Sequence, residues 1–360
     1  MIRVLTVHCE FRPQSSGVAR HIEGLSRALL ARGDIEPVIL AQNLVKVPDD
    51  YPGQVDAGGF GRLLPLIRTA DVVHVHGSRT GISALALRLA RWLGKPVVFT
   101  PHCYYQGGTR LQQGLKRGWD LLIERGTVRG ADAVILLHSG WSQVMQDIGL
   151  CGQREEIIPN CLDADALMAR LQQAGQRRLS GAPAMLSVGR LDPVKRLDDG
   201  IRALSEPGME QAEFHIVGQG VDRERLEALA MQWGVAARVH FHGWQDDACT
   251  AAMMKGCDVM LLASEREGLP TVLLESLLAG VPMAISDIEG NRAIADVVGW
   301  PFRFPVGEGA ALARCVADCV ASGVDPAVRE AVLQQFSWQS RANEVAALYL
   351  DLLRQRGRCG

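Results

Sequence analysis

The chain alternates short apolar segments with longer amphipathic ones, and it does so in two successive series. Continuous apolar runs of this length are typical of strands buried on both faces of a parallel sheet, with helices as the crossovers. In the first series, strands are predicted at residues 4–7, 37–40, 72–75, 97–100 and 133–137, and helices at 18–32, 82–93 and 111–125. A short strand and turn near 157–160 is predicted to end this series. In the second, strands are predicted near 184–188, 213–217, 238–241, 258–262 and 282–285. The pattern predicts an α/β protein with two doubly wound parallel sheets.

Length supports two domains rather than one. At 360 residues the chain exceeds the size at which a single core usually keeps growing, so about 160 to 180 residues are expected in each domain. We predict domains at 1–168 and 169–336, joined by a polar linker near 172–178. A final helix, within 337–360, follows the second sheet.

Composition excludes several classes of protein. A hydrophobic content of 48% and a net charge of −2 describe a globular chain and favour neither a nucleic-acid surface nor a disordered tail. The chain opens with a predicted strand rather than a signal peptide, and its apolar runs are too short to span a bilayer, so a cytoplasmic location is expected. Nine cysteines lack zinc or redox spacing and are predicted to be reduced thiols.

Two glutamates, separated by seven residues, bracket the start of a predicted helix in the second domain. Glu267 precedes the helix and Glu275 lies within it. The predicted strand at 258–262 comes shortly before Glu267. The turn between them begins with Gly268, Leu269, Pro270 and Thr271. A helix N-terminus at the carboxyl end of a parallel strand favours phosphate groups. The arrangement predicts a nucleotide-sugar site, with Glu267 accepting hydrogen bonds from sugar hydroxyls and Glu275 reaching a ribose.

Two cations follow the first strand of the same domain. Arg190 comes directly after Gly189, and Lys195 stands five residues later. Cleavage of a sugar–phosphate bond leaves a nucleoside diphosphate whose negative charge grows in the transition state, and fixed cations stabilise that charge. Arginine offers two oxygens a planar fork, and lysine offers a point charge.

Together these motifs resemble the retaining GT-B glycosyltransferases of family 4, the glycosyl transferases group 1. The resemblance covers nearly the whole chain and is strongest across residues 185–196 and 264–290. It implies two Rossmann-like domains that face a central cleft, with the helix in 337–360 crossing back to the first domain. It also implies that Arg190 and Lys195 hold the donor diphosphate while Glu267 positions the sugar.

The resemblance assigns further residues in the first domain. Gly17 ends a loop that matches the family's glycine-rich loop, although Ser16 stands where the family commonly has a second glycine. His102 follows a predicted strand and matches the family's histidine that faces the donor sugar. Structural roles are favoured for three other histidines that end strands, namely His74, His76 and His138.

A glycine pair in the second domain raises the alternative of a dinucleotide site. Gly218 and Gly220 follow the strand at 213–217, but Arg223 occupies the position that needs a small residue. Binding of NAD is therefore disfavoured, and Gly218 is interpreted as part of a turn beside the nucleotide. Gly243, after the next strand, is either part of the base pocket or an ordinary turn.

The implied reaction is transfer of a sugar, with retention, from a UDP- or GDP-linked donor to a hydroxyl of a glycan or lipid-linked acceptor. Bacterial lipopolysaccharide, capsule or exopolysaccharide synthesis is the implied setting. With two cations at the predicted diphosphate site, activity without a metal or other cofactor is predicted. The basic, leucine-containing stretch at 111–122 is either a membrane-surface helix, giving peripheral contact with the inner membrane, or an ordinary packed helix, which we favour.

Two alternatives remain open at this point. A nucleotide-sugar epimerase would share the architecture without needing an acceptor, and a non-catalytic sugar-binding protein would bind without turnover. Dependence on an acceptor separates the first alternative from a transferase, and turnover separates the second.

Overall fold

The computed structural model describes residues 1–9, 17–42, 51, 53–102, 104, 109–175 and 177–357. The chain forms two compact units. Unit 1 consists of Met1–Leu162 and Trp338–Gly360, and unit 2 consists of Asp163–Ser337.

Unit 1 is built on a parallel sheet. Its strands are β1 (Ile2–His8), β2 (Ile35–Ala41), β3 (Gln54–Asp56), β4 (Val72–His76), β5 (Val97–Thr100), β6 (Ala133–Leu136) and β7 (Glu155–Ile157). They are ordered β3-β2-β1-β4-β5-β6-β7. Its helices before the crossing into unit 2 are α1 (Gly17–Arg32), α2 (Phe60–Thr69), α3 (Gly81–Trp92), α4 (Arg110–Trp119), α5 (Arg125–Gly130) and α6 (Gly140–Asp147). A π-helical turn, Asp120–Glu124, joins α4 to α5.

Unit 2 has a second parallel sheet. Its strands are β8 (Ala184–Val188), β9 (Glu213–Val217), β10 (Val239–Gly243), β11 (Val259–Leu262), β12 (Met283–Ser286) and β13 (Arg303–Phe304). They are ordered β10-β9-β8-β11-β12-β13. Its helices are α7 (Ala164–Gln173), α8 (Leu197–Ala203), α9 (Arg223–Gln232), α10 (Asp247–Gly256), α11 (Thr271–Ala279), α12 (Glu289–Val298), α13 (Gly309–Ser322) and α14 (Pro326–Phe336).

The two parallel sheets confirm the predicted fold class. The predicted strands recur in both units, whereas β3 and β13 were not predicted. Both are short edge strands, Gln-Val-Asp and Arg-Phe, and such brief segments carry no apolar run to mark them. In the part of the chain that the structure describes, no helix is both long enough and apolar enough to cross a bilayer.

The last helix, α15 (Trp338–Gly357), belongs to unit 1. Trp338, Tyr349 and Leu352 are buried in one apolar cluster with Val4 of β1 and Leu25 of α1. The Trp338 backbone N–H donates to the Leu162 carbonyl oxygen at 3.0 Å. The chain therefore leaves unit 1 and returns to it at adjacent points.

The boundary between the units differs from the predicted position after residue 168. Unit 2 begins at Asp163, because α7 is fastened to the helices of that unit. The Lys255 ammonium on α10 donates to the carbonyl oxygens of Leu171 (2.9 Å) and Ala174 (3.0 Å), at the C-terminal end of α7. The predicted linker near 172–178 thus lies inside unit 2 rather than between the units.

Candidate active site

Sheet order explains which loops meet in unit 2. From β8 the chain winds one way through β9 and β10, then returns to β11 on the other side of β8 and continues to β12 and β13. The winding reverses between β8 and β11, which pair directly through Met185 and Val259. In open parallel sheets, ligands bind beyond the carboxyl ends of the strands at such a reversal. The loops after β8 and β11 carry the two predicted motifs.

The structure brings Lys195 and Glu267 into contact. The Lys195 ammonium donates to Glu267 Oε1 at 2.7 Å, and the Ser264 hydroxyl donates to the same oxygen at 2.6 Å. The backbone also joins these loops, since the N–H of Glu265 donates to the carbonyl oxygen of Val194 at 2.9 Å. Seventy-two residues of sequence separate two side chains that share one site.

Arg190 lies at the same site. It is exposed, and it lines a pocket together with Ser187, Gly189, Lys195 and Ser264. The position of Lys195 is set by a short 3-10 turn, Pro193–Lys195, that Asp192 caps. Thus the β8 loop supplies two cations, and the β11 loop supplies the carboxylate.

Gly218 has a steric requirement of its own. Its φ is +139°, and a Cβ on it would lie 1.7 Å from the carbonyl oxygen of Gly189. The N–H of Gly218 donates to the carbonyl oxygen of Gly243 at 2.8 Å, and that of Gly189 donates to Val217 at 2.9 Å. Gly218 therefore lets the loops after β8, β9 and β10 pack backbone to backbone.

Helix α11 begins at Thr271, beside Glu267. Pro270 occupies the N-cap position and makes no side-chain cap, and both Leu269 and Pro270 are buried. Thr271 and Glu275 are four residues apart and share one face of the helix. Gly268 links this helix start to Glu267, so the predicted stretch 267–275 is a strand end, a turn and a helix N-terminus.

Four supporting residues were not predicted. The Ser264 hydroxyl holds the Glu267 carboxylate, and a Cβ on Gly290 would lie 2.5 Å from the Glu267 carbonyl oxygen. The Asn291 side-chain amide donates to the Ser286 carbonyl oxygen at 2.8 Å, and the Ser286 hydroxyl donates to the Ser264 carbonyl oxygen at 2.5 Å. Their positions in the sequence could have indicated a role in the site, because Ser264 and Gly290–Asn291 each follow the carboxyl end of a strand.

In unit 1, His102 is buried within a group of histidines. Its φ is +65°, and its Nε2 lies 3.0 Å from Nδ1 of His76. His21 Nδ1 lies 2.7 Å from Asn160 Oδ1, and the His21 ring meets that of His102 edge-on at 4.7 Å. Burial lowers the pKa of His102 well below its ordinary value, and neighbouring histidines lower it further. The His102 imidazole is therefore neutral near pH 7.

The roles of the other histidines in unit 1 differ. Both ring nitrogens of His74 are engaged, Nδ1 at 2.6 Å from the Tyr349 hydroxyl and Nε2 at 2.8 Å from the Thr100 hydroxyl. One ligand atom from each of His21, His76 and His102 lies within 4.8 Å of the other two, a spacing that a metal ion could bridge. These rings surround His102, the residue predicted to face the donor sugar.

Gly17 is the first residue of α1 and is exposed. Its predicted function depends on the loop at 12–16, which lies outside the described residues. Nothing lies within 4 Å of a Cβ built on Gly17, so packing among the described residues does not require glycine there.

The stretch predicted to form an ordinary packed helix at 111–122 does not bury its leucines. Their exposed fractions are 75% for Leu111, 66% for Leu115, 66% for Leu121 and 79% for Leu122. The acids of the π-helical turn point inward instead. Asp120 is buried and pairs with Arg79 at 2.7 Å, while buried Glu124 accepts hydrogen bonds from the Tyr104 hydroxyl and the Trp119 indole.

Comparisons with known proteins agree with this architecture. Residues 170–299 match the family model of glycosyl transferases group 1, and residues 15–166 match that of glycosyltransferase family 4. Phosphatidyl-myo-inositol mannosyltransferase of Mycobacterium leprae is 30% identical over 371 residues, covering 92% of each chain. The chain belongs to the group 1, family 4 glycosyltransferases. The predicted enzyme class, a glycosyltransferase, is thereby confirmed.

Further similarities fit the same family. A UDP-Gal:alpha-D-GlcNAc-diphosphoundecaprenol alpha-1,3-galactosyltransferase of Escherichia coli is 26% identical to this glycosyltransferase, over 79% of this chain and 76% of the other. Among solved structures, Anabaena Alr3699/HepE in complex with UDP and glucose superposes with a TM-score of 0.71 at 18% identity, covering 97% of this chain and 99% of that one. That structural similarity supports the predicted GT-B fold.

Proposed function

We propose that this glycosyltransferase moves a sugar from a UDP- or GDP-linked donor to an acceptor hydroxyl, with the anomeric configuration retained. The observation that carries the proposal is the contact of Lys195 with Glu267, together with the pocket that Lys195 and Arg190 both line. Two cations at one pocket, one of them paired with a carboxylate, suit a substrate that has a diphosphate next to a neutral, hydroxyl-rich sugar.

Each predicted residue has a role in this proposal. Arg190 and Lys195 bind the diphosphate and stabilise the charge that it gains as the sugar leaves. Glu267 accepts hydrogen bonds from sugar hydroxyls, and the N-terminus of α11 at Thr271 favours phosphate. Glu275, one turn further along, binds the ribose.

The remaining roles concern the base and the sugar. Gly218 and Gly243 shape the loops beside the nucleotide, whose backbones they hold together. His102, as a neutral imidazole, would donate or accept one hydrogen bond at the sugar. Gly17 would allow backbone approach to the diphosphate. UDP is the first nucleotide to test, since one similar structure is a complex with UDP and the name of one relative includes UDP-Gal.

We propose a lipid-linked acceptor, which unit 1 binds at an anionic membrane surface. The four exposed leucines at 111, 115, 121 and 122 lie among basic residues, including Lys116 and Arg117. A neighbouring pocket is lined by Arg117 and Arg125, with Leu121 and Ile148 beside them, and its lining also includes Asp120, which pairs with Arg79, and Asp147. Apolar side chains among cations suit the boundary of an anionic bilayer, and two guanidinium groups suit a lipid phosphate.

Thermal stabilisation by UDP, GDP, ADP and NAD tests the donor site directly. A ligand at about 100 times its dissociation constant adds roughly 2.7 kcal/mol to stability. We expect one nucleoside diphosphate to stabilise the wild type but not Arg190→Ala or Lys195→Ala, while an Arg314→Ala control on exposed α13 responds like the wild type. Stabilisation by NAD alone, or by none of the four, would contradict the proposal. Turnover of the donor sugar without acceptor would favour an epimerase instead.

A further inference from the structure

A second cluster of metal-ligating side chains lies in unit 2, on the outer strands of its sheet. Glu213 and His215 are on β9, and His240 and His242 are on β10. Alternate residues of a strand share a face. His240 pairs directly with His215 in the parallel ladder, so three of these side chains project from the same face. At its other edge β10 has no strand partner in the described sheet.

The cluster is tightly spaced. His240 Nε2 lies 2.6 Å from Glu213 Oε2, and the rings of His215 and His240 stack with centroids 4.6 Å apart. One ligand atom from each of Glu213, His215 and His240 lies within 4.8 Å of the other two. The side chain of His240 is 36% exposed and that of Glu213 is 25% exposed, so an ion from solvent can reach them.

From this geometry we infer a binding site for a divalent transition-metal ion, formed by Glu213, His215 and His240. Two imidazole nitrogens and one carboxylate oxygen form a ligand set that suits Zn²⁺, with a further coordination position for water. An ion pair between Glu213 and His240 would be complete with these two side chains alone. His215, directly opposite His240 in the ladder, adds a third ligand atom to the cluster.

Contacts outside the proposed metal site hold the ring of His215, the buried ligand residue, in one orientation. His215 Nδ1 lies 3.0 Å from His242 Nε2, and His215 Nε2 lies 2.9 Å from the Ser180 carbonyl oxygen. Whichever nitrogen binds the ion, the other N–H retains a fixed partner. Metal-bound histidines typically donate their second N–H in this way, which fixes the tautomer.

This site is separate from the proposed donor pocket. Glu213 is the first residue of β9, whereas Gly218 follows the carboxyl end of that strand. The four intervening steps from Glu213 to Val217 span about 13 Å of extended chain. A bound ion would fasten β10 to β9 and to the Ser180 segment, so its effect should be on stability rather than on transfer.

Zn²⁺ titration of untagged, reduced protein against a competing chelator tests the inference. The wild type is expected to bind one ion in this cluster, with affinity falling at least tenfold in Glu213→Gln and in His240→Gln. Matched controls are Glu227→Gln on α9 and His21→Gln in the other histidine cluster, which should leave this binding event intact. Arg177→Ala should tighten it severalfold, because it removes a positive charge that acts on His215 and would repel a cation bound there.

A second measurement needs no variant. Zn²⁺ should protect His240 of the wild type from diethyl pyrocarbonate, as read by peptide mass spectrometry. Absence of Zn²⁺ binding, wild-type affinity in both ligand variants, or loss of binding only in His21→Gln would overturn the inference. Since none of these readouts uses donor or acceptor, their outcome is independent of the proposed transferase function.

Discussion

Gly218 packs so closely on Gly189 that a Cβ at position 218 would lie 1.7 Å from the Gly189 carbonyl oxygen. Two loops that follow neighbouring strands thereby touch through their backbones, and one of them leads directly to Arg190. In our proposal, donor binding therefore depends on glycines that need not contact the donor themselves.

Gly218→Ala should destabilise unit 2 and abolish donor binding. The methyl group would displace backbone rather than a flexible side chain, at a φ of +139°, and we expect a loss of about 2 to 4 kcal/mol. Urea unfolding and UDP titration measure the two effects. Gly175→Ala is the matched control, because nothing lies within 4 Å of its Cβ. Equal stability of the two variants would contradict this steric requirement.

Lys195→Ala and Glu267→Gln should be strongly non-additive. The Lys195 ammonium and the Glu267 carboxylate are 2.7 Å apart, so each single change also removes the ion-pair partner of the other residue. We expect each to lower kcat/KM by about a hundredfold or more, with the double variant losing less than the product of the two. Steady-state kinetics with saturating acceptor provides the measurement. Strict multiplicativity would show that the two groups act independently.

Lowering the pH should destabilise unit 1 through its buried histidines. Burial lowers the pKa of His21 to about 4 and that of His74 to about 3, whereas in the unfolded chain both titrate near 6.5. The unfolded state therefore binds more protons, and stability is lost as the pH falls from 6.5 towards 4, by up to about 1.4 kcal/mol per pH unit for each histidine.

A variant isolates one of these histidines. His74→Gln retains polar atoms for Tyr349 and Thr100 but cannot titrate, so its stability should depend less steeply on pH than that of the wild type. Urea unfolding at a series of pH values gives both slopes. Identical slopes would mean that His74 is not a neutral, buried group in the folded protein.

Membrane binding should depend on the exposed leucines and their neighbouring cations. Near an anionic surface each lysine or arginine contributes about 1 kcal/mol, so Lys116→Ala with Arg117→Ala should weaken binding to phosphatidylglycerol-containing vesicles about 30-fold. The control is Arg223→Ala with Arg292→Ala, an exposed basic pair in unit 2. Co-sedimentation provides the measurement, and an equal effect of both pairs would indicate non-specific charge attraction.

Sugar transfer should persist without a divalent ion. In our proposal Arg190 and Lys195 supply the positive charge that a metal supplies in other transferases. Activity after exhaustive treatment with EDTA should remain close to that of untreated enzyme, as measured by release of nucleoside diphosphate. Restoration only by added manganese would contradict the role given to the two cations.

Sequence alone determined the elements and the main motifs, because both are encoded locally. Apolar runs mark strands that a parallel sheet buries on both faces, and a glycine, a cation or a carboxylate just after such a run marks a strand's carboxyl end. The short edge strands β3 and β13 escaped prediction because a strand of two or three mostly polar residues has no such pattern.

Only the tertiary structure decided which of these segments meet. Strand order makes β8 and β11 neighbours, and this places Lys195 against Glu267 across 72 residues of sequence. Packing also decided that Leu121 and Leu122 face outward, since the buried acids Asp120 and Glu124 occupy the inner side of the π-helical turn. Spatial neighbours of this kind depend on sheet order and on competition for the core, which no local pattern records.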